Sequence, residues 1–535
     1  MSGKDEIKKI LDDHPSYRET LFCRGYLITN RVLNTSEYPF YGQWNTVSPG
    51  SVKNLGKLYI YYHAWQQCYV CEKNGLTAAL IGHACNPFDM KHREEEILAD
   101  CMDAYCRGSE AFFEKVSELT GIHLVILNDS ERLIAVQDCS GMEACCYGKK
   151  EEDIYMSSHP QLVADICGFE MDPFVRKLIG KWFYRFGSNY LPGNITPYRE
   201  LQNLGPNTFI EYGRSFSVKR FFPLKPHPEL EPAEYEGTFN SIMSVLEKNI
   251  ELCTLKWKRP ALSLTGGMDS KTTLACANGL YDRLKFYSFS SKSSEAEDSK
   301  AAHSICSGLG LEHIIYKIQD SNLHVKDFFL LKKVIEHNIS YIHNLKDNEI
   351  RKYIYLYRLN DFDVELKSWI SETGRVIRER KYGIKMPKIL SPRHFSVLQV
   401  RYIFAPAMIR RADRYYAGYL EKVGLDNPLY NYEHVDSHYW EFAWGFWGAA
   451  VVSGQNIFRH TVTMPFNNRK LIDMFLCFPH EYRKKDMVHR EIIKRANKKV
   501  ASINIRIENP YMGRRRILFD RLYYSLATMF RRKNS

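Results

Sequence analysis

The segment Ala261–Leu274, ALSLTGGMDSKTTL, holds residues whose types and order suit the binding of an oligophosphate. A short apolar strand ends in Thr265-Gly266-Gly267-Met268-Asp269-Ser270, and helix-forming residues follow. Two glycines let the backbone turn tightly and expose several N–H groups, and the start of a helix adds partial positive charge. Thr265 and Ser270 supply hydroxyl donors beside such a nest. Asp269 would repel phosphate directly, so its sensible role is to hold a magnesium ion that bridges phosphate oxygens. The plainer alternative is a strand–turn–helix corner capped by Asp269 or Ser270. The full ordered set on a strand–helix junction favours phosphate. It is not the lysine-containing G-x-x-x-x-G-K-[ST] loop, which is absent.

The surrounding elements must carry this loop. Strand Ala261–Leu264 is followed by a helix, strand Lys285–Ser290 by a helix over Glu297–Gly308, and then comes strand His313–Lys317. Strands alternating with helices predict a parallel sheet covered on both faces. From about Asn322 onward the sequence reads as helical, aromatic and basic, with no further strand expected. Upstream, short β-rich runs dominate: Leu58–His63, Ala78–Ile81, Ile122–Leu127 and Leu133–Gln137. The last two flank Asn128-Asp129-Ser130-Glu131 and predict a hairpin. Arg93–Ala104 reads as a helix with its acidic residues in the first turn. Proline-rich Phe221–Glu236 excludes helix and marks a boundary, giving an N-terminal domain over 1–222, a linker over 223–236 and a C-terminal domain over 237–535.

The loop resembles the pyrophosphate loop of N-type ATP pyrophosphatases, S-G-G-x-D-S, with Thr265 in the first serine position. Together with Phe286–Ser291, Glu297-Asp298, Ala301-Ala302 and Leu309–His313, it resembles the synthetase domain of the asparagine synthetase superfamily, which includes β-lactam synthetases and lasso-peptide cyclases. In the first half, Gly82–Phe88, Asp138–Gly141, Tyr147, Ser157-Ser158, Thr196–Leu201 and Leu204-Gly205-Pro206 fall in the order of the family's glutaminase domain. The likeness spans about residues 22–320 and 455–500. It implies an α+β N-terminal domain, layered α/β/β/α and Ntn-hydrolase-like. It also implies an α/β C-terminal domain, with an adenine-nucleotide α-hydrolase-like parallel sheet and a helical extension. The implied cofactors are ATP and Mg2+. Nucleotide-binding positions would be Leu262, Ser263, Thr265, Gly266, Gly267, Asp269, Ser270, Ser290, Ser291 and Ser368, with Asp269 and Glu372 as metal ligands. Glu372 lies in Lys367–Arg375, KSWISETGR, the best match to the family's G-x-x-x-D-E loop, and the alternative there is a helix start capped by Ser371. Arg490 occupies the place of the family's adenylate-stabilising lysine in His489–Ala496, HREIIKRA, with Lys494 as the fallback cation. The alternative is a solvated basic helix face.

Several residues depart from the family. Its glutaminase needs a cysteine with a free α-amine, whereas Cys23 lies inside the first expected strand, Leu21–Thr29, and Ser2 is far from that strand. A degenerate glutaminase follows. Trp369 stands where relatives carry a proton-transfer residue, which leaves the general base unassigned, and Thr463 stands before Met464-Pro465-Phe466-Asn467-Asn468 in place of an arginine. The expected activity is ATP-dependent amide formation on a small-molecule, peptide or sugar carboxylate, with an amine or ammonia as donor. Conventional glutamine-hydrolysing asparagine synthesis, a non-catalytic ATP-binding scaffold and a tRNA-modifying pyrophosphatase are the alternatives.

Composition sets the outer limits. The 535 residues are 44% hydrophobic and 25% charged, which excludes long disordered, collagen-like and coiled-coil architectures. Net charge is +12, compatible with an anionic substrate but too dilute to indicate nucleic-acid binding. No secretory signal is expected in Met1–Ser16, and Tyr439–Gly454 is interrupted by Glu441 and reads as a buried helix, not a span. Fourteen cysteines at irregular spacing suggest reduced thiols in the cytoplasm, and the single CxxC, Cys68 and Cys71, reads as two ordinary thiols. The basic tail from Met512, with Arg514, Arg515, Arg516, Arg521, Arg531, Arg532 and Lys533, reads as a surface helix covering its own domain, the alternative being an acidic membrane surface or a polyanionic substrate as its partner. A homodimer is compatible with all of this.

Overall fold

Alternating side-chain direction organises the first half of the chain. In the strand Leu76–Cys85, Ala78 and Leu80 face one apolar cluster and Ala79 and Ile81 face another, so both sides of the sheet are covered. A computed structural model describes residues 3–49, 57–73, 75–129, 131–187, 190–226, 229–399, 405–427, 429–430, 432–503 and 513–529. Ser2, Ser130, His227, Pro228, Met512, Arg531, Arg532 and Lys533, all part of the sequence expectations, lie outside these.

Among the described residues, two six-stranded antiparallel sheets form the N-terminal half. One runs Leu201–Asn203, Cys146–Lys150, Asp153–Ser157, Tyr26–Thr29, Tyr59–His63, Trp44–Val47. The other runs Phe216–Arg220, Thr208–Tyr212, Leu133–Gln137, Thr120–Asn128, Leu76–Cys85, Cys68–Lys73. A shared core that includes Tyr26, Ile60, Ile81, Leu124 and Met156 joins them face to face. The helices Glu94–Arg107 and Ser109–Ser117 cover the second sheet, and Gly3–Asp13 and Pro160–Cys167 cover the first. The hairpin pairs Asn128 with Leu133, and Glu94, Glu95 and Glu96 occupy the first turn of their helix. The first strand is shorter than expected. It spans Tyr26–Thr29, and Cys23 sits in the preceding turn between Phe22 and Arg24, both with left-handed backbone.

The second half contains a parallel sheet in the order His313–Lys317, Lys285–Ser290, Pro260–Ser263, Val364–Leu366, Thr461–Thr463. The last two strands correct the expectation that none follows Asn322. Each is three residues long, too short to show a period, and each exists because a strand about a hundred residues away supplies its hydrogen bonds. Strand order reverses between Pro260–Ser263 and Val364–Leu366. The crevice at such a reversal, beyond the carboxyl ends of the strands, is where open α/β sheets bind ligands.

The halves are joined by buried polar contacts. Arg469, 1% exposed, donates to the Gln137 and Asp138 carbonyls at 2.8 Å each and to Asn207 Oδ1 at 3.1 Å. Asn467 Nδ2 reaches Asp138 Oδ1 at 2.8 Å, and Asp138 also accepts the Ser140, Met142 and Glu143 amides. The Asp138–Gly141 and Met464–Asn468 segments noted in the sequence therefore meet. No helix among the described residues is long and apolar enough to cross a membrane. The run His438–Gly448 is a buried π-helix, a form that is rare at this length and frequent at functional sites.

Candidate functional site

The strand Pro260–Ser263 is hydrogen-bonded on both sides, so its chain direction is fixed and the residues after it project at the carboxyl edge. Thr265–Gly267 make the turn and the helix Met268–Cys276 begins. The loop is self-bonded. Gly267 N–H donates to Thr265 Oγ1 at 3.1 Å, and Ser270 Oγ donates to the Thr265 carbonyl at 2.9 Å. Burial raises the Asp298 pKa.

Neighbouring strand ends deliver the other expected positions. Ser290 closes Lys285–Ser290, and Ser291 Oγ and N–H both donate to Glu295, itself 3.3 Å from Lys352 Nζ. Ser368 Oγ lies 2.7 Å from Thr273 Oγ1, tying the next turn to the loop helix. Ser263 Oγ donates to the Leu366 carbonyl, and Leu262 is fully buried in the strand.

Asp269 is tied to the turn that holds Glu372 through Ser371 and Arg375, and burial, then the Asp269 charge, raises the Glu372 pKa. Glu372 lies in the tight 3-10 turn Ser371–Arg375, bounded by Ile370 (φ 77°) and Val376 (φ 50°). Left-handed backbone at two β-branched residues is costly and marks over-determined, often functional, segments. Gly374 is required here, because a Cβ would meet Phe475 at 2.9 Å. Ser371 Oγ donates to Asp269 Oδ1, and Arg375 Nη1 donates to Asp269 Oδ2 at 2.5 Å. Arg375 also donates to Asp486 from Nε at 2.8 Å and Nη2 at 3.3 Å, and Arg380 reaches Asp486 at 2.5 Å. The Tyr439 hydroxyl donates to Glu372. Burial raises the Asp269 pKa, but Arg375, His489 and Ser371 outweigh it and the net direction is down.

The sequence resemblance implies magnesium at this set of residues. Both oxygens of Asp269 already have partners, and Glu372 accepts from a buried tyrosine. Among the described residues no group of three or more His, Cys, Asp and Glu side chains could hold a metal. As arranged, the residues do not fit a resident divalent ion.

The helix Met487–Ala496 packs on the loop helix, but the residue it turns toward Asp269 is His489, whose Nε2 is 3.9 Å from Asp269 Oδ1. His489 is fully buried, neither ring nitrogen has a hydrogen-bond partner, and desolvation pushes its pKa down to about 4. Arg490 and Lys494 are exposed on the other side of that helix. Arg490 is near Lys271 of the loop helix, whose pKa burial lowers and the Arg490 charge lowers further. Trp369 packs on Trp444 and Trp447.

Arg375, Ser371, Asp486, His489 and Tyr439 were not anticipated as site residues. Arg375 and His489 stand inside the segments KSWISETGR and HREIIKRA, three residues after Glu372 and one before Arg490. Nothing in the sequence marks Tyr439. Cys23 is 1% exposed and desolvation pushes its thiol up to about 12. The helix Gly3–Asp13 and the turn Pro15–Thr20 precede it, bonded to the second half through Tyr17–Asp327 and Lys333–Glu6.

No family model matches the chain, and no curated protein matches it. It is similar to a solved structure of the allosteric regulatory enzyme of purine biosynthesis, at 10% identity and a TM-score of 0.23, over 56% of this chain and 60% of that one. It is also similar to glutamine phosphoribosylpyrophosphate amidotransferase from B. subtilis complexed with ADP and GMP, at 9% identity and a TM-score of 0.23, over 76% of each chain. The chain thus spans about three-fifths of the first of these. At that TM-score neither likeness bears on the site or its chemistry.

Proposed function

We propose that the chain is an ATP-dependent ligase of the asparagine synthetase type, forming amide bonds without its own glutaminase. The observation that carries this reading is the convergence of three distant segments, 265–270, 371–375 and 486–489, on the crevice where strand order reverses. In this reading Thr265, Gly266, Gly267 and Ser270 receive the β- and γ-phosphates. Leu262, Ser263, Ser290, Ser291 and Ser368, at the surrounding strand ends, border the nucleoside. Arg490 and Lys271, two like charges held close at the rim, favour an incoming polyanion. Lys494 is one helical turn further on.

The chemistry balances as two displacements. A substrate carboxylate oxygen attacks the α-phosphorus, the α–β bond breaks, and pyrophosphate leaves. The amine nitrogen then attacks the acyl carbon, AMP leaves, and the nitrogen loses a proton. Positioning and fixed positive charge lower the barrier. The degenerate glutaminase is supported by the buried thiol of Cys23 and the structured segment before it.

One observation favours a second reading, a nucleotide-binding protein without catalysis. The Gly267 amide already has an acceptor, so phosphate must displace Thr265 Oγ1. Isotope exchange between pyrophosphate and ATP across a panel of carboxylates separates the two. Exchange dependent on one carboxylate class supports the ligase. ATP binding without exchange on any of them supports the binding protein.

A further inference from the structure

Asp269 would be the loop's natural ligand for a divalent ion, yet a side chain already neutralises it. One Arg375 guanidinium ties Asp269 of the loop to Asp486 at the start of the helix Met487–Ala496. With Arg380 on Asp486, two arginines balance two aspartates, and Glu372 is turned toward the Tyr439 hydroxyl. A divalent ion at Asp269 would have to displace the guanidinium. Arg375 is held from both ends, since Ile370 and Val376 fix the turn that presents Ser371 and Arg375 to the same carboxylate. A guanidinium has five N–H donors. Three are engaged here, which leaves one hydrogen on each of Nη1 and Nη2 for an added oxyanion.

We propose that Arg375 is a built-in cation standing in place of a divalent metal at the phosphate loop, so that ATP and inorganic pyrophosphate bind the loop without magnesium. This rests on the nucleotide-binding reading above. A guanidinium pairs with phosphate oxygens through charge-assisted hydrogen bonds and stays charged at any working pH.

The test is calorimetric titration of the full chain with ATP and with pyrophosphate, in EDTA and in excess Mg2+. The wild type is expected to bind each probe with dissociation constants that agree within about threefold in the two conditions. Arg375→Gln should weaken binding in EDTA by about tenfold or more, with Mg2+ restoring part of it, and Arg375→Lys should retain most of the affinity. Wild-type affinity that collapses in EDTA and returns with Mg2+ overturns this proposal and leaves the ligase reading standing. No ATP binding in either condition removes both. Because Arg375→Gln could fail to fold, Mn2+ titration of nucleotide-free wild type, read by electron paramagnetic resonance, gives a separate result. No Mn2+ should be captured. Capture that Asp269→Asn abolishes would overturn the proposal.

Discussion

His480 should make the protein lose stability as pH rises from 6.5 to about 9. Its Nδ1 is 2.8 Å from Glu433 and its Nε2 is 2.9 Å from Glu379. Both ring nitrogens therefore donate, which only the imidazolium can do. Hydrogen bonds to Glu379, then to Glu433, raise its pKa from 6.5 to about 9 against the desolvation that opposes them. His480, with the Met386 amide and Lys484, pulls Glu379 down to about 2 against desolvation. Moving a proton-binding constant from 6.5 to about 9 corresponds to roughly 3.4 kcal/mol. Partial exposure of the ring and the sharing of Glu379 with Lys484, 2.9 Å away, reduce that to about 2 kcal/mol. The folded state binds the proton more tightly, so the contribution is complete below pH 6.5 and is lost as pH passes through about 9. Urea unfolding of wild type and His480→Gln at pH 6, 7.5 and 9.5 isolates it, because other titrating groups cancel in the difference. The wild-type advantage should shrink by about 2 kcal/mol across that range. An advantage that does not change with pH would refute the reasoning. Glu379 lies in the helix Ile377–Tyr382, directly after the Ser371–Arg375 turn, so the network also anchors one side of the site.

Three further outcomes are expected. Arg469→Met strands the Gln137 and Asp138 carbonyls and Asn207 at the junction of the halves, and should cost about 3 kcal/mol or more in urea unfolding; a loss under about 1 kcal/mol would show the junction does not depend on it. Arg490→Ala should weaken ATP binding several-fold at low ionic strength, with the difference fading as salt is added; equal affinity at low salt would remove Arg490 from the rim. In the native protein a thiol-alkylating reagent should modify exposed Cys106 and spare Cys23 until unfolding, and purified protein should release no glutamate from glutamine. Rapid native labelling of Cys23, together with glutamate release that Cys23→Ala abolishes, would contradict this.

What could be read from the sequence was mostly local. The strands Lys285–Ser290, His313–Lys317 and Leu133–Gln137 match their expected bounds, because runs of five or six residues between turn signals define themselves. Val364–Leu366 and Thr461–Thr463 escaped because three residues carry no period and their partners lie about a hundred positions apart. The loop Thr265–Ser270 was legible as a strand–helix junction. Its counter-charge was not, since Arg375 is 106 residues from Asp269 and nothing local pairs them. Charge drew attention to Arg490, but helix packing decides which residue faces inward, and it turned the adjacent His489 toward Asp269. Tyr439 lies in an aromatic run that reads as core, and its contact with Glu372 depends on the π-helical path of His438–Gly448.

The most direct test of the central claim is photo-crosslinking with 8-azido-ATP, followed by peptide mapping. The sheet has a hollow, of about 800 Å3, at the opposite ends of its strands, lined by Arg259, Asp282, Arg283, Lys285, Glu312 and Asp361. The nucleotide-binding account predicts label in residues bordering the carboxyl ends of Pro260–Ser263 and Lys285–Ser290, suppressed by unlabelled ATP and by pyrophosphate. Label confined to the opposite hollow, or insensitive to pyrophosphate, would contradict it.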